Sequence, residues 1–315
     1  MVRALIKRGS VCDGVIGVLK DRLGADAVCM VDLGEVHGTA ALAEAEVVIG
    51  TLPKEAIGDA PKLRWLQMGS AGVNSWIPHV PEGVILTSAV GVYDEAMADH
   101  VFGLLLGLTR RIGEAQDRQR EGRWRGAEGC LELAGMTMGI MGYGSIGRSV
   151  ARRARAFGMR VVGLRRRPEP DALAEAVYGM EELDAFLARS EVLVVILPGT
   201  DHTRGKLDER ALGLLPESAL IVNVGRGSTI RTDALVAMLA SGRVGGAGLD
   251  VTDPEPLPEG HALWTTPNTL ITAHYGGQSQ SYPERFGELV AHNLDCFLSG
   301  RVEAMRNRVD RVWGY

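Results

Sequence analysis

An apolar run from Met136 to Met141 leads directly into Gly142-Tyr143-Gly144-Ser145-Ile146-Gly147, and no other stretch limits the possible fold as strongly. Glycine accepts the positive φ of a tight strand-to-helix turn, lets backbone approach a ligand closely and leaves room for a helix to pack on its strand. The pattern around it supplies the matching context: a strand before, a helix over Ser149 to Phe157 after, and a second strand over Arg160 to Leu164. The unpaired N–H groups and the dipole of a helix N-terminus favour an anion at that point. These features predict a dinucleotide site with its pyrophosphate on the helix. The plain alternative is an ordinary glycine-rich turn.

The end of the second strand indicates which dinucleotide. In an NAD site an acidic residue about 20 positions beyond the glycines receives the ribose hydroxyls. Here Arg165-Arg166-Arg167 stand in that place. A guanidinium cannot accept a hydroxyl hydrogen bond, but its fork matches a 2′-phosphate and can stack on adenine. The expected cofactor is NADP(H) in preference to NAD(H), with Arg165 and Arg166 as the contacts. The bland reading of the same residues is a solvated basic turn.

At 315 residues the chain is about twice a typical domain. Its net charge of −5 gives no general attraction to nucleic acid or an anionic membrane. The four cysteines, Cys12, Cys29, Cys130 and Cys296, form no C-x-x-C pair and read as reduced, mostly core thiols. The apolar stretch Ala4 to Ile6 is too short for a signal-peptide core, and no run of about 20 apolar residues exists to span a membrane. A cytoplasmic protein is expected.

Strands and helices alternate along the chain, the pattern of parallel sheets covered on both faces. In the first part the pattern predicts strands at Arg3 to Lys7, Ala27 to Val31, Val47 to Gly50, Trp65 to Met68 and Ile85 to Thr87, with a helix at Asp13 to Leu23. Asp94 to Ile112 is apolar around most of its circumference, as a buried helix would be, and could join domains or subunits. Further strands are expected at Val192 to Leu197, Ala219 to Val224, Gly246 to Val251 and Thr269 to Thr272. In the last helix, Pro283 to Leu298, Phe286, Val290, Leu294 and Phe297 share one face and would pack back on the first part. The expected fold is α/β, with two Rossmann-like or flavodoxin-like domains built on doubly wound parallel sheets. A dinucleotide-binding domain, 94–280, would be inserted into a discontinuous substrate domain, 1–93 plus 281–315.

Three polar residues fall at the carboxyl ends of strands in the second domain, where open α/β sheets bind ligands: Arg226, Glu255 and His274. Each alone has a bland explanation, as a loop cation, a surface acid and a satisfied imidazole. Together they supply the parts for hydride exchange with a 2-keto acid. That reaction needs a cation for the carboxylate and carbonyl, a proton donor for the developing alkoxide, and a carboxylate that orients the donor and keeps it protonated. No G-x-S-x-G elbow or H-E-x-x-H pair occurs. His37, His79, His100, His202, His261 and His292 form no cluster at metal spacing, so no metal site is expected. His100, beside Asp99 in the apolar helix, reads as a paired residue between helices.

At these residues the chain resembles the D-isomer-specific 2-hydroxyacid dehydrogenases, a family that includes glyoxylate/hydroxypyruvate reductases and phosphoglycerate dehydrogenases. The resemblance runs over nearly the whole chain. It is carried by Met68 to Val73, Met141 to Gly147, Leu197 to Arg204, Asn223 to Gly227, Gly248 to Val251 with Glu255-Pro256-Leu257, and Thr272-Ala273-His274 with Gly276-Gly277. It implies an NADP(H)-dependent D-2-hydroxyacid dehydrogenase, or 2-keto acid reductase. Arg226 would be the substrate-binding arginine, His274 the acid/base and Glu255 its partner. Backbone N–H groups of Ser70, Ala71, Gly72 and Val73 would bind the substrate carboxylate, although a simple strand-helix connection has an equal claim on that turn. Beyond the glycine turn and the arginines, the cofactor would be lined by Leu197, Pro198, Thr203, Val224, Gly225, Arg226, Asp250, His274 and Gly276.

The resemblance also implies a homodimer built around Asp94 to Ile112 and its flanks, and a cleft that closes on cofactor and substrate, with hinges near Val92 and Gln280. Gly225 departs from the family's usual alanine, and Ala273 from the usual proline. Trp76 and Tyr275 are either pocket walls or packing. The rival readings are a dinucleotide-sensing interaction protein, like the C-terminal binding protein corepressors that resemble these enzymes, and a formate- or phosphite-type dehydrogenase. Little chain lies outside the two expected domains, which favours the enzyme.

Overall fold

Val47-Val48-Ile49 and four other short, mostly apolar runs form a five-stranded sheet in which every pairing is parallel. The computed structural model describes residues 2–312. The strands are β1 (Ala4–Lys7), β2 (Val28–Val31), β3 (Val47–Ile49), β4 (Trp65–Gln67) and β5 (Ile85–Thr87), in the spatial order β2-β1-β3-β4-β5. Helices α1 (Asp13–Leu23) and α2 (Ala40–Ala43) lie between the first three strands in sequence. All three residues of β3 are 0% exposed, as befits a parallel sheet covered on both faces.

The middle of the chain, Asp94 to Gly277, is a second compact unit. It contains α3 (Asp94–Thr109), α4 (Ile112–Arg120), β6 (Thr137–Met141), α5 (Ser145–Ala156), β7 (Arg160–Leu164), β8 (Ala176–Tyr178), α6 (Leu183–Ala188), β9 (Val192–Val195), α7 (Glu209–Gly213), β10 (Ala219–Asn223), α8 (Thr232–Ala240), β11 (Val244–Leu249) and β12 (Thr269–Ile271). The seven strands are all parallel, in the order β12-β11-β10-β9-β6-β7-β8. The chain moves outward from β6 through β7 and β8, then restarts on the other side at β9. This reversal beside β6 leaves a crevice at the strand ends, the place where doubly wound sheets take ligands.

Gln278 onward rejoins the first unit. There α9 (Tyr282–Leu298) buries Phe286, Val290, Leu294 and Phe297 in one cluster with Leu19 and Leu23 of α1 and with Ile6, Val47 and Trp65. Arg22 and Asp295 tie the same two helices by an ion pair of 2.7 Å.

Some expected boundaries differ from those observed. Helix α5 opens at Ser145, inside the glycine turn itself, because Gly144 already caps it and the Arg148 N–H reaches the Gly144 carbonyl at 2.9 Å. The long apolar helix ends at Thr109. Arg111 takes a left-handed φ of 56°, which breaks the i→i−4 ladder, and the polar α4 follows. Strand β8 is a half-buried three-residue edge, too short for its alternation to show in sequence. Cys29 and Cys130 are exposed and only Cys296 is fully buried, so the expectation of mostly core thiols fails.

Candidate active site

The three glycines of the fingerprint meet three different demands. Gly142 has φ 105°, and a Cβ there would lie 2.9 Å from the Ile196 carbonyl carbon. Gly147 brings α5 onto β6, where a Cβ would come within 2.8 Å of the Gly142 oxygen. At Gly144, the N-cap of α5, a Cβ would meet nothing within 4 Å, so open space faces the helix N-terminus. The residues therefore fit a pyrophosphate as the glycine roles require. Tyr143 points the other way. Its side chain is 1% exposed and packs over Gly163, where a Cβ would sit 2.6 Å from the ring. Burial first, then the nearby Asp171 carboxylate, push this phenol up to about 12.

Arg165 follows β7 directly. Its Nη2 pairs with Glu169 at 2.8 Å, while its Nε is buried without a hydrogen-bond partner among the described residues. A buried unpaired donor is uncommon and suits an arriving anion. Arg166 and Arg167 are exposed. A further cation not singled out in the sequence, Arg148 on α5, pairs at 2.7 Å with the buried carboxylate of Asp171. That carboxylate also accepts the Leu173 N–H at 2.9 Å and so braces the loop that carries the arginines.

At the other side of the sheet, the structure brings His274 and Glu255 together: Nδ1 and Oε1 are 2.5 Å apart. His274 has a left-handed φ of 52°, an uncommon conformation for a residue with a side chain and one found at functional sites. Arg226 is presented by a small turn after β10, in which the Asn223 side chain accepts the Gly225 N–H and donates to the Arg226 carbonyl, both at 3.1 Å. Its Nη1 donates to the Gly225 carbonyl at 2.7 Å. Burial works against the charge on Arg226, partly offset by the Glu255 carboxylate. A Cβ on Gly225 would lie 2.7 Å from the Leu197 oxygen, which accounts for glycine where the resemblance leads one to expect alanine.

Asp250, 2% exposed, follows β11 and accepts hydrogen bonds from the Thr272 hydroxyl at 2.7 Å, the Tyr275 N–H at 3.1 Å and the Gly276 N–H at 3.0 Å. Burial opposes its charge, yet the bonds from His100, Thr272 and Gly276 together hold its carboxyl below the ordinary value. His100 is thus not paired between helices. Its Nε2 lies 2.8 Å from Thr272 and 3.3 Å from Asp250 in the loops beyond the strands, while Asp99 pairs with Arg153 on α5. The remaining lining candidates follow β9 and β10. The Thr203 hydroxyl donates to the Pro198 carbonyl at 2.6 Å and so folds their loop on itself, and Leu197 and Val224 are buried. Tyr275 is 46% exposed and meets the His100 ring edge-on.

In the first unit, the Ser70 to Val73 turn follows β4. Val73 is buried and the other three are half-buried. The Ser70 hydroxyl donates to the Gly72 carbonyl at 3.2 Å, and the Ser70 carbonyl receives the Ala89 N–H at 2.9 Å. Two tyrosines absent from the sequence reading, Tyr93 and Tyr282, both donate their hydroxyls to the Gly69 carbonyl and so fix the entry to the turn. Nothing in their local sequence signals this, since they lie 24 and 213 residues from Gly69. Trp76 donates to the Leu52 carbonyl at 2.8 Å and packs against the core of its unit.

Known proteins resemble this chain along most of its length. Residues 102–276 match the model of the D-isomer specific 2-hydroxyacid dehydrogenase, NAD binding domain. The chain is 33% identical over 266 residues to a glyoxylate reductase of Thermococcus litoralis, covering 81% of this chain and 80% of that protein. Among solved structures, a D-isomer specific 2-hydroxyacid dehydrogenase from Xanthobacter autotrophicus Py2 in complex with NADPH and MES superposes with a TM-score of 0.85 at 29% identity, covering 100% of both chains. An NADPH-dependent glyoxylate/hydroxypyruvate reductase from Sinorhizobium meliloti in complex with NADP and sulfate gives 0.84 at 28% identity, again covering 100% of both.

Proposed function

Since the chain belongs to the D-isomer-specific 2-hydroxyacid dehydrogenase family and is an oxidoreductase of 2-keto and 2-hydroxy acids, we propose that it reduces glyoxylate, hydroxypyruvate or a closely related 2-keto acid with NADPH in preference to NADH. The observation that carries the chemistry is the 2.5 Å pairing of His274 Nδ1 with Glu255. With Nδ1 turned to the carboxylate, Nε2 is the nitrogen that hands a proton to the carbonyl oxygen as negative charge develops there. Arg226, already oriented by its bond to the Gly225 carbonyl, grips the substrate carboxylate and keto oxygen. The half-buried Ser70 to Val73 turn of the other unit offers backbone N–H groups that suit a carboxylate. When bound, the reduced nicotinamide supplies the hydride.

Gly142 to Gly147 would hold the pyrophosphate. Support for the NADPH preference comes from the unpaired Nε of Arg165 and from the two neighbours solved with NADPH or NADP. In this reading the unit Asp94 to Gly277 binds the dinucleotide, and the unit up to Tyr93 with Gln278 onward binds the acid. The similarity to glyoxylate and glyoxylate/hydroxypyruvate reductases favours this activity over a sensor or a formate- or phosphite-type enzyme.

Two further proposals concern context. The inward face of α3 is covered by β10, β11, β12 and α5 of its own unit, so a homodimer would form through the flanks, where Ile112, Trp124 and Leu131 are exposed. Light scattering that gave a monomer mass at micromolar concentration would refute it. A cytoplasmic location suits the free, exposed thiols of Cys29 and Cys130. Localisation of a tagged chain to a secreted or membrane fraction would refute that. The activity is tested by the absorbance decay of NADPH and, in parallel, NADH with glyoxylate, hydroxypyruvate and bulkier 2-keto acids. Faster oxidation of NADPH with at least one acid is expected. Silence with every acid, despite measured cofactor binding, would overturn the reductase reading in favour of a sensor.

A further inference from the structure

Helix α3 lies on β11 in a fixed register. A Cβ on Gly248 would fall 2.9 Å from the Cβ of Leu104, so the helix rests on bare backbone at that point. Four residues back along a helix is a rise of about 6 Å, and two residues forward along a strand is about 6.6 Å. Helix and strand run in opposite senses, and His100 is therefore delivered over Asp250 just as Leu104 is delivered over Gly248. The histidine's place follows from the packing of its helix.

The bonding at this point has one consistent arrangement of protons. The carboxylate of Asp250 only accepts, so the single hydroxyl proton of Thr272 goes to it, at 2.7 Å. The Thr272 oxygen, 2.8 Å from His100 Nε2, is then an acceptor, and Nε2 carries the proton. That same N–H also faces Asp250 at 3.3 Å. Asp250 in turn holds three consecutive amides: its backbone oxygen takes the His274 N–H at 2.9 Å, and its carboxylate takes those of Tyr275 and Gly276. Gly276 has no room for a side chain, because a Cβ would lie 2.7 Å from the His100 ring and 2.8 Å from the carboxylate.

We propose that His100 is a positioning residue for catalysis: through Asp250 and Thr272 it fixes the His274 to Gly276 backbone, and with it the direction in which His274 presents its proton. His100 makes no hydrogen bond or ion pair with Glu255 or His274 among the described residues, and its contribution is the orientation of the carboxylate that ties the His274 to Gly276 segment. The catalytic consequence rests on the reading of His274 as acid/base, whereas the positioning itself does not.

The test is amide hydrogen exchange of the intact protein across 272–277, alongside turnover with NADPH and cofactor binding by fluorescence titration. His100→Ala is expected to speed exchange in this segment and leave the five-stranded unit unchanged. It should lower kcat about ten- to hundredfold, the scale for a catalytic group displaced by about 1 Å, with NADPH affinity within a few-fold of the parent. His100→Gln, whose amide nitrogen lies the same number of bonds from Cα as Nε2, should restore both protection and most of the turnover. Thr272→Val should reproduce part of the exchange effect without touching the histidine. Unchanged exchange in His100→Ala, or a glutamine variant as impaired as the alanine one, would overturn the proposal. So would faster exchange with undiminished kcat, provided that His274→Ala abolishes turnover. If His274→Ala itself turns over normally, the acid/base reading falls, and exchange alone still decides whether His100 holds the loop.

Discussion

On the β6–β7 side of the large sheet, the residues proposed to hold the phosphates of the dinucleotide lie in one stretch of chain, Gly142 to Arg166. On the β10–β12 side, the groups proposed for the chemistry come from separate segments: His100, Arg226, Asp250 with Glu255, and Thr272 to Gly276. The first side is shaped by missing side chains and an unpaired arginine nitrogen, with the turn open at Gly144. The second is organised by a carboxylate that is 2% exposed and already bonded by its own protein. In the proposed function, binding of the cofactor phosphates would thus be left to backbone shape and a waiting cation. Proton transfer would be left to groups positioned by a network that is complete beforehand, and the two should fail independently.

The largest break in that comparison comes from His274→Ala. General acid catalysis is worth about 10²- to 10⁴-fold, so kcat should fall by that order with NADPH affinity unchanged. A parallel loss of cofactor binding would mean the two sides are not separable. Next is Arg165→Ala. Hydrogen bonds to charged groups contribute about 1.5–3 kcal/mol, so NADPH should bind roughly 10- to 100-fold more weakly while NADH is hardly affected. Equal loss of both cofactors, measured by titration, would remove the phosphate role from Arg165.

The same contrast explains what could be read before the structure was in hand. Gly142 to Gly147 and the arginines announce themselves because their physics is local: a tight turn, a helix N-terminus and a charge at a set distance along one βαβ unit. Arg226, Glu255 and His274 were legible as residues at strand ends, and their family resemblance gave them roles. Their geometry was not, because Glu255 and His274 meet only when two separate loops fold. His100 shows the limit most plainly. Its place in an apolar helix suggested a partner on another helix, but successive helix positions point in different directions, so its neighbour Asp99 faces Arg153 on α5 while His100 faces Asp250, 150 positions further along. The break of the long helix at Arg111 was hidden for a related reason, since a left-handed arginine leaves no mark in the apolar pattern.

The smallest expected effect concerns Asp250 and acid. Its carboxyl is held below the ordinary aspartate value of 3.8, so the folded protein binds this proton less readily than the unfolded chain does. The resulting stability is present at every pH above the unfolded value and is lost as pH falls through the lower, folded one. Thermal midpoints of the parent and Asp250→Asn should therefore differ most at neutral pH and converge in acid, where the parent's carboxyl takes up its proton. For a unit of this size about 1 kcal/mol moves the midpoint by about 2–4 °C, which sets the scale to look for. Arg165→Ala makes the contrasting measurement, because that side chain is linked to the exposed Glu169 and not to a buried acid. Its midpoint should track the parent's at every pH. A constant offset between the parent and Asp250→Asn, even in acid, would show that the asparagine variant loses packing or geometry, and that charge is not what distinguishes the catalytic side of the sheet from the cofactor side.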